Sequence, residues 1–344
     1  MIKRRKTRVI KIGNVKIGGM NPISIQSMLK IKAANVKKAI EEIKKLERIG
    51  CEIMRVAVKD SSDAQAIRQM KKKIKIPLVA DIHFNWRLAL ESIKSGVDKI
   101  RINPGNISKE DELREIIKSA KKRKIPIRIG INSGSIPRNM KLVDFARKYI
   151  KVFERQNFRD IIISVKSSSV TETVDAYRIL ADFCDYPFHL GVTAAGPYDT
   201  GIVKSSIGIG SLLVDGIGDT IRVSLTGDSR EEVIVAKEIL QSLRLRNFGP
   251  DIISCPTCGR CQVDLVKVVN ELQDKLTTYD LQLTTKYPMT IAVMGCEVNG
   301  PGEAKDADMG IAFGKNSGVL FKKGKVIKKI KAKNSVKELI KLTT

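Results

Sequence analysis

Apolar residues along this chain come in short runs separated by longer amphipathic stretches, and the alternation repeats eight times. The runs begin near Ile23 (ISIQSM), Ile53 (IMRVAV), Pro77 (PLVADIH), Lys99 (KIRINPG), Ile127 (IRIGIN), Ile161 (IIISVKSS), Phe188 (FHLGVT) and Thr220 (TIRVSLT). Lysine-rich stretches such as Val36 to Ile49, Asp63 to Lys73 and Glu110 to Lys122 carry helical periodicity between them. Short β-branched runs alternating with helices predict a parallel sheet. Eight units predict an α/β fold with a (β/α)8 barrel rather than an open sheet. No G-x-G-x-x-G follows the first run, which weakens a dinucleotide-binding alternative. Before the repeats, Thr7 to Gly18 alternates around Gly13-Asn14 and predicts a short hairpin.

The pattern changes at Leu245 to Pro250. This predicts a barrel domain over 1–246 and a small α+β domain over 247–344. In the latter, a helix is expected from Asp264 to Leu276 and strands at Thr290–Met294, Gly310–Phe313 and Gly318–Phe321. A last helix is expected near Val336 to Leu342.

In barrels of this kind the active groups stand at the C-terminal ends of the strands. Reading those ends in order gives Arg55, Asp81 with His83, Arg101 with Asn103, Arg128 with Asn132, Lys166, Thr193, and Arg222 with Ser224. Cations gathered in a barrel mouth without matching carboxylates are costly unless an anion binds there. Arginine forks suit phosphate oxygens. The expected ligand is a small molecule with more than one phosphate charge. His189 begins its run and reads as structural.

Composition narrows the partners. Net charge is +26, but the lysines read as spread over helix faces and aromatics are only 5%. The expectation is therefore no nucleic acid, with a use for the charge in attracting an acidic partner. No apolar run approaches the ~18 residues of a membrane helix. The basic start lacks a signal-peptide core, so a cytoplasmic protein is expected.

Six cysteines are too few for a disulfide scaffold. Cys51 and Cys184 precede apolar runs and read as buried. The other four cluster late, in Ser254-Cys255-Pro256-Thr257-Cys258-Gly259-Arg260-Cys261 and at Cys296, with Glu303 seven residues beyond. Cys-x-x-Cys alone fits zinc, a redox dithiol or half of an iron–sulfur site. With one distant third thiol and a carboxylate, the set suits a [4Fe–4S] cluster with one labile position. Cys261 stands as a possible fourth thiol.

The strings SCPTCGR at Ser254 to Arg260 and VMGC-x-VNGPGEAK at Val293 to Lys305 resemble the (E)-4-hydroxy-3-methylbut-2-enyl diphosphate synthase family. So do NPISIQSM, ADIHFN, KIRINPGN and GIGDTIRVSLT in the barrel. The resemblance spans nearly the whole chain. It implies a barrel followed by a domain similar to those of sulfite and nitrite reductases. It implies a [4Fe–4S] cluster on Cys255, Cys258, Cys296 and Glu303, with Cys261 outside the set. It implies a homodimer, 2-C-methyl-D-erythritol 2,4-cyclodiphosphate as substrate, and reduced flavodoxin or ferredoxin as donor. Arg55, His83, Arg101, Arg128, Asn132, Lys166, Thr193, Arg222 and Ser224 match pocket positions. Glu303, His83, Arg128 and Asn132 are the expected catalytic groups.

The chain departs from the family at Ala194, where a glutamate is usual, and at Glu297, where an apolar residue is usual. Glu297 reads either as a replacement carboxylate or as a surface change. The alternatives are a related iron–sulfur barrel with altered activity, a basic RNA-binding protein with a structural zinc site, and a barrel that binds pterin or phosphate ligands without redox work.

Overall fold

The computed structural model describes residues 2–278, 289–298 and 304–343. Two compact units emerge, Met1–Leu245 and Arg246–Thr344.

The first unit opens with the antiparallel hairpin β1 (Ile10–Ile12) and β2 (Val15–Ile17), which turns at Gly13 with φ +56°. Eight parallel strands follow: β3 (Ser24–Met28), β4 (Ile53–Ala57), β5 (Leu78–Ile82), β6 (Lys99–Ile102), β7 (Ile127–Asn132), β8 (Ile161–Lys166), β9 (His189–Leu190) and β10 (Thr220–Ile221). Strands β3 to β8 pair in chain order, β9 pairs β10, and β10 pairs β3. A bridge between Ile163 and Phe188 brings β8 to the start of β9. The ring is thus a nearly closed (β/α)8 barrel, as the repeat predicts.

A helix follows each strand of the ring: α1 (Val36–Arg48), α2 (Ser61–Lys71), α3 (Trp86–Lys94), α4 (Glu110–Arg123), α5 (Leu142–Arg155), α6 (Val170–Phe183), α7 (Tyr198–Val214) and α8 (Ser229–Ser242). Each buries one stripe; α5 hides Leu142, Phe145, Ala146, Tyr149, Ile150 and Phe153 at helical spacing. Side-chain caps start several of them. Asp60, Asn85, Ser169 and Asp228 each accept a hydrogen bond from a first-turn N–H. Helix α4 begins with three acidic residues and ends with three basic ones, which complements its dipole.

The strands are not uniformly apolar. Ile100, Ile102, Ile127, Ile129, Ile131, Ile163 and Val165 alternate with Lys99, Arg101, Arg128, Ser164 and Lys166. Strand side chains alternate faces. At the N-terminal end the inward set is apolar: Ile53, Val79 and Ile162 form one cluster with hairpin residues Ile10, Ile12 and Ile17. The hairpin therefore plugs the bottom of the barrel. Two residues further along the same inward rows come Arg55, Asp81 and Ser164. The lumen above the plug is polar, where barrels of this type usually fill it with branched apolar side chains.

Among its described residues the second unit holds one five-stranded sheet. Its strands are β11 (Asp251–Ser254), β12 (Thr290–Met294), β13 (Met309–Gly314), β14 (Ser317–Lys322) and β15 (Lys325–Lys331), in that spatial order. The first three are parallel and the last two run antiparallel. Helices α9 (Leu265–Thr278) and α10 (Ser335–Thr343) accompany it. Leu265, Leu272, Ile291, Val293, Ile311, Phe313, Leu320 and Leu339 form its core. Strands β11 and β15 were not expected from sequence. The first lies between the linker and the thiol loop, and the second, KVIKKIK, is exposed nearly throughout.

Candidate active site

The predicted strand-end residues converge at the barrel mouth. Asp81 is their hub. Its Oδ1 accepts from Arg101 Nη1 at 3.0 Å, and its Oδ2 lies 3.7 Å from Arg55 Nε. His83 Nε2 lies 3.0 Å from Arg101 Nη1 and 3.5 Å from Asp81 Oδ2, and its Nδ1 lies 3.3 Å from Asn106 Nδ2. Arg101 Nη2 donates to the Gly130 carbonyl at 3.0 Å. A Cβ on Gly130 would collide with Arg101 Nε, so glycine here makes room for the guanidinium. Burial would raise the Asp81 carboxyl, but Arg55 and Arg101 outweigh it and hold the group well below the usual carboxylate range.

Glu232 anchors the other side of the mouth. It is buried on α8 and faces Arg222 Nη2 at 3.4 Å and Lys30 Nζ at 3.2 Å. It also accepts from Ser27 Oγ and from the Leu225 N–H. Lys166 is buried beside Gly191, where any Cβ would collide with its Nζ and with the Arg222 carbonyl. Thr193 Oγ1 reaches Asn132 Oδ1 at 3.5 Å. Asn103 Oδ1 accepts from the Gly105 N–H and from Ser135 Oγ, so it shapes the loop after β6. Ser224 is half-buried two residues beyond Arg222.

Positive charge exceeds negative. Arg55, Arg101, Arg128, Lys166 and Arg222 face only Asp81 and Glu232 among the buried carboxylates that pair with them. Arg128 is buried with Nε and Nη1 lacking any hydrogen-bond partner among the described residues. Burial, then the neighbouring Arg55 and Arg101, lowers its guanidinium well below its ordinary value. Lys166 is lowered by burial and by Arg128. Burial pushes Arg55 down to about 10 despite Asp81. A dianion at the mouth would supply what these groups lack.

Sequence reasoning missed a deeper layer. Lys99, Gln26, Thr220 and His189 are buried in the lumen, with Lys99 Nζ, both Gln26 amide atoms, Thr220 Oγ1 and both His189 nitrogens unpartnered among the described residues. Burial and Arg128 lower both Lys99 and His189 well below their ordinary values. Glu232 was missed too, since its helix reads as a charged surface element. Met28 Sδ, also overlooked, accepts from Arg55 Nη2 at 2.9 Å.

The thiols fall in the second unit, after adjacent strands. Cys255 follows β11 and Cys296 follows β12 by two residues; both are buried. The Gly295 N–H donates to Cys255 Sγ at 3.3 Å. Cys261 Sγ also lies against Gly295 and donates to the Val263 carbonyl at 3.2 Å. Cys258 is exposed. Glu303 lies outside the described residues. Among the described residues no three His, Cys, Asp or Glu side chains converge closely enough to hold a metal. The donor chemistry still fits a soft metal centre, with buried sulfur ligands presented from neighbouring strand ends. In the barrel, Cys51 is buried as expected, whereas Cys184 is only half-buried, with its Sγ on the Leu180 carbonyl.

Both departures are visible. Ala194 is exposed with φ +51°, a left-handed conformation unusual for a residue with a Cβ. Glu297 is exposed, with its Oε2 against Gly314 at the end of β13.

The GcpE TIM-barrel domain matches residues 7–237, and the GcpE protein C-terminal domain matches residues 251–344. The chain belongs to the GcpE family. Among GcpE relatives, the 4-hydroxy-3-methylbut-2-en-1-yl diphosphate synthase (flavodoxin) of Thermodesulfovibrio yellowstonii is 51% identical over 350 residues, 99% of each chain. The enzyme of the same name from Fusobacterium nucleatum is 50% identical over 348 residues, 98% of this chain and 97% of its own. These matches leave the RNA-binding, pterin-binding and altered-chemistry alternatives without support. Solved structures give the fold alone. A dihydropteroate synthase from Stenotrophomonas maltophilia is 12% identical with TM-score 0.52, over 69% of this chain and 98% of its own. A sialic acid synthetase from Leptospira borgpetersenii is 12% identical with TM-score 0.53, over 82% of this chain and 100% of its own. No helix among the described residues of this GcpE member is long and apolar enough to cross a membrane.

Proposed function

We propose that this chain reductively opens 2-C-methyl-D-erythritol 2,4-cyclodiphosphate to (E)-4-hydroxy-3-methylbut-2-enyl diphosphate, taking electrons from flavodoxin. The observation that carries this reading is identity near 50% over almost the full length to enzymes named for that product and donor. The mouth chemistry is consistent with it: a cyclic diphosphate carries two charges, and the buried cations outnumber their carboxylates.

In this reading the unit 1–246 binds substrate and 247–344 delivers electrons. Arg55, Arg101, Arg128, Lys166 and Arg222 hold the diphosphate. Arg128 contributes two donor nitrogens, Nε and Nη1, with no partner among the described residues, so they bind an anion at no cost in broken contacts. Asp81 keeps Arg55 and Arg101 oriented. His83, half-exposed at the rim beside Asp81, is placed to move a proton at its ring, and Asn132 with Thr193 and Ser224 orients the carbon skeleton. Opening the ring breaks the C2–O bond to phosphate. Two electrons enter, and the C3 hydroxyl leaves as water with an added proton. The freed phosphate oxygen adds negative charge, which the fixed cations stabilise as it develops. Cys255, Cys258, Cys296 and Glu303 would hold a [4Fe–4S] cluster, which supplies single electrons and an iron with an exchangeable ligand.

The test is anaerobic turnover of the cyclodiphosphate by cluster-reconstituted protein with a reduced viologen dye. The linear allylic diphosphate should form. A brown protein with about four irons per chain and no product would overturn the reading.

A further inference from the structure

The net charge of the chain is not evenly placed. Between Lys315 and Lys341 stand ten lysines and one carboxylate, Glu338, so these 27 residues carry +9 of the total +26. The structure shows how they are displayed. Strand β15 is the last in its sheet, and Lys325, Lys328, Lys329 and Lys331 along it are all exposed. Lys322 and Lys323 continue the run through the preceding turn, and Lys333 through the following one. Val326 and Ile327 lie amid these cations, 71% and 45% exposed. The lone carboxylate is already taken: Glu338 accepts from Lys341 at 2.8 Å and from Lys328, which pull it down to about 2.

This edge reaches the thiol end of the sheet. Lys331 pairs with Ser317, and Ser317 pairs with Gly314 at the C-terminal end of β13. Strands β11 and β12 run parallel to β13, and their C-terminal ends lead into Cys255 and Cys296. Glu297, next to Cys296, lies against Gly314. Three strand spacings separate β12 from β15, roughly 14 Å. Lysines on an edge strand also block sheet-to-sheet pairing. That role does not require the cations to continue through both flanking turns or to surround exposed apolar side chains.

We propose that the β15 edge, from Lys322 to Lys333, is the docking surface for an acidic, flavin-carrying electron donor. The inference rests on the reading that the chain takes electrons from such a carrier. It adds where the carrier binds and how it is chosen. Carboxylates of the donor meet the lysines, Val326 and Ile327 supply a small apolar centre, and the reduced flavin gives up one electron per encounter towards the thiol end. Two encounters serve one turnover. Charge complementarity of this kind speeds encounter and selects partners more than it tightens the complex.

The test compares two electron sources. Lys325→Glu, Lys329→Glu and Lys331→Glu are combined in the full-length, cluster-loaded protein. KM for reduced flavodoxin should rise at least tenfold, and the wild-type dependence of KM on salt should flatten. Turnover with a small viologen dye and the iron content should not change. An unchanged KM for flavodoxin overturns the proposal. So does an equal rise from Lys118→Glu with Lys122→Glu on α4, which would mean that overall charge matters rather than this edge. Loss of RNA duplex binding in the triple variant with flavodoxin kinetics intact would assign the surface to nucleic acid and also overturn it. If wild type fails with the dye, the enzymatic reading fails instead. A carbodiimide cross-link of the wild-type protein to flavodoxin needs no variant: cross-links within Lys322–Lys333 support the proposal, and cross-links confined elsewhere overturn it.

Discussion

The barrel lumen and the β15 edge hold the same kind of charge under opposite conditions. In the lumen, Lys99, Arg128 and Lys166 are buried, and burial drives each towards its neutral form. On β15, Lys325, Lys329 and Lys331 are exposed to water, which screens them. A buried cation shapes affinity because it lacks something that a ligand brings. An exposed cation shapes the rate and choice of encounter and costs the fold almost nothing. On the functions proposed above, holding an anion and attracting a partner fall to different regions of the molecule.

The contrast makes its strongest claim at Asp81, the carboxylate that holds Arg55 and Arg101. Asp81→Asn should destabilise the barrel by about 3–5 kcal/mol, because it leaves buried cations uncompensated. Denaturant unfolding checks this. The carboxyl is held below its unfolded value, so its contribution is fully present above about pH 4 and is lost only as pH falls further. The gap between wild type and variant should therefore stay constant from pH 5 to 8. A loss below about 1 kcal/mol would mean that the lumen is as wet as the surface.

Arg128→Met should act on the ligand and not on the fold. Its unpartnered donors predict a fall in kcat/KM of about 100-fold or more, or ~3 kcal/mol, with unfolding unchanged or shifted to higher denaturant. A variant that lost stability in step with activity would break the assignment of Arg128 to the anion.

Lys99→Met should stabilise the unliganded protein by about 1 kcal/mol or more, since a buried amine with no partner among the described residues is replaced by an apolar side chain. The pH dependence has a definite sign. The folded amine is lowered, so the unfolded chain binds more protons between the folded value and about 10.4, and wild-type stability rises with pH in that window. The variant should lose that part of the slope. Equal slopes would show that Lys99 keeps its charge through a partner.

The smallest effect is expected at the edge. Lys329→Gln should change stability by no more than about 0.5 kcal/mol. A larger loss would show that β15 lysines serve the fold and would erase the distinction between the two regions.

Much of this was legible in advance. Eight apolar runs with helical spacers predict the barrel, and reading the C-terminal ends of the runs finds the mouth from Arg55 to Ser224. The deep layer was not legible, because Lys99 and Gln26 show their inward direction only once strand register is known. Glu232 sits on a helix with Glu231 and Arg230, where one carboxylate looks like the next until packing buries it. Strand β15 hides for another reason. Its sequence KVIKKIK buries neither face well, so its pairing with β14 is set by the hairpin and not by an apolar pattern. The thiol spacing was readable from sequence, whereas Cys261's place against Gly295 depends on how β12 meets the loop after β11.

The hairpin plug has a consequence for synthesis. Ile10, Ile12 and Ile17 are synthesised about 150 residues before Ile162, with which they share a core. At translation rates of about 5–20 residues per second, those side chains wait roughly 8–30 s for their last partner. During that wait the nascent chain exposes the apolar face of a two-stranded ribbon, a surface of the kind that chaperones bind.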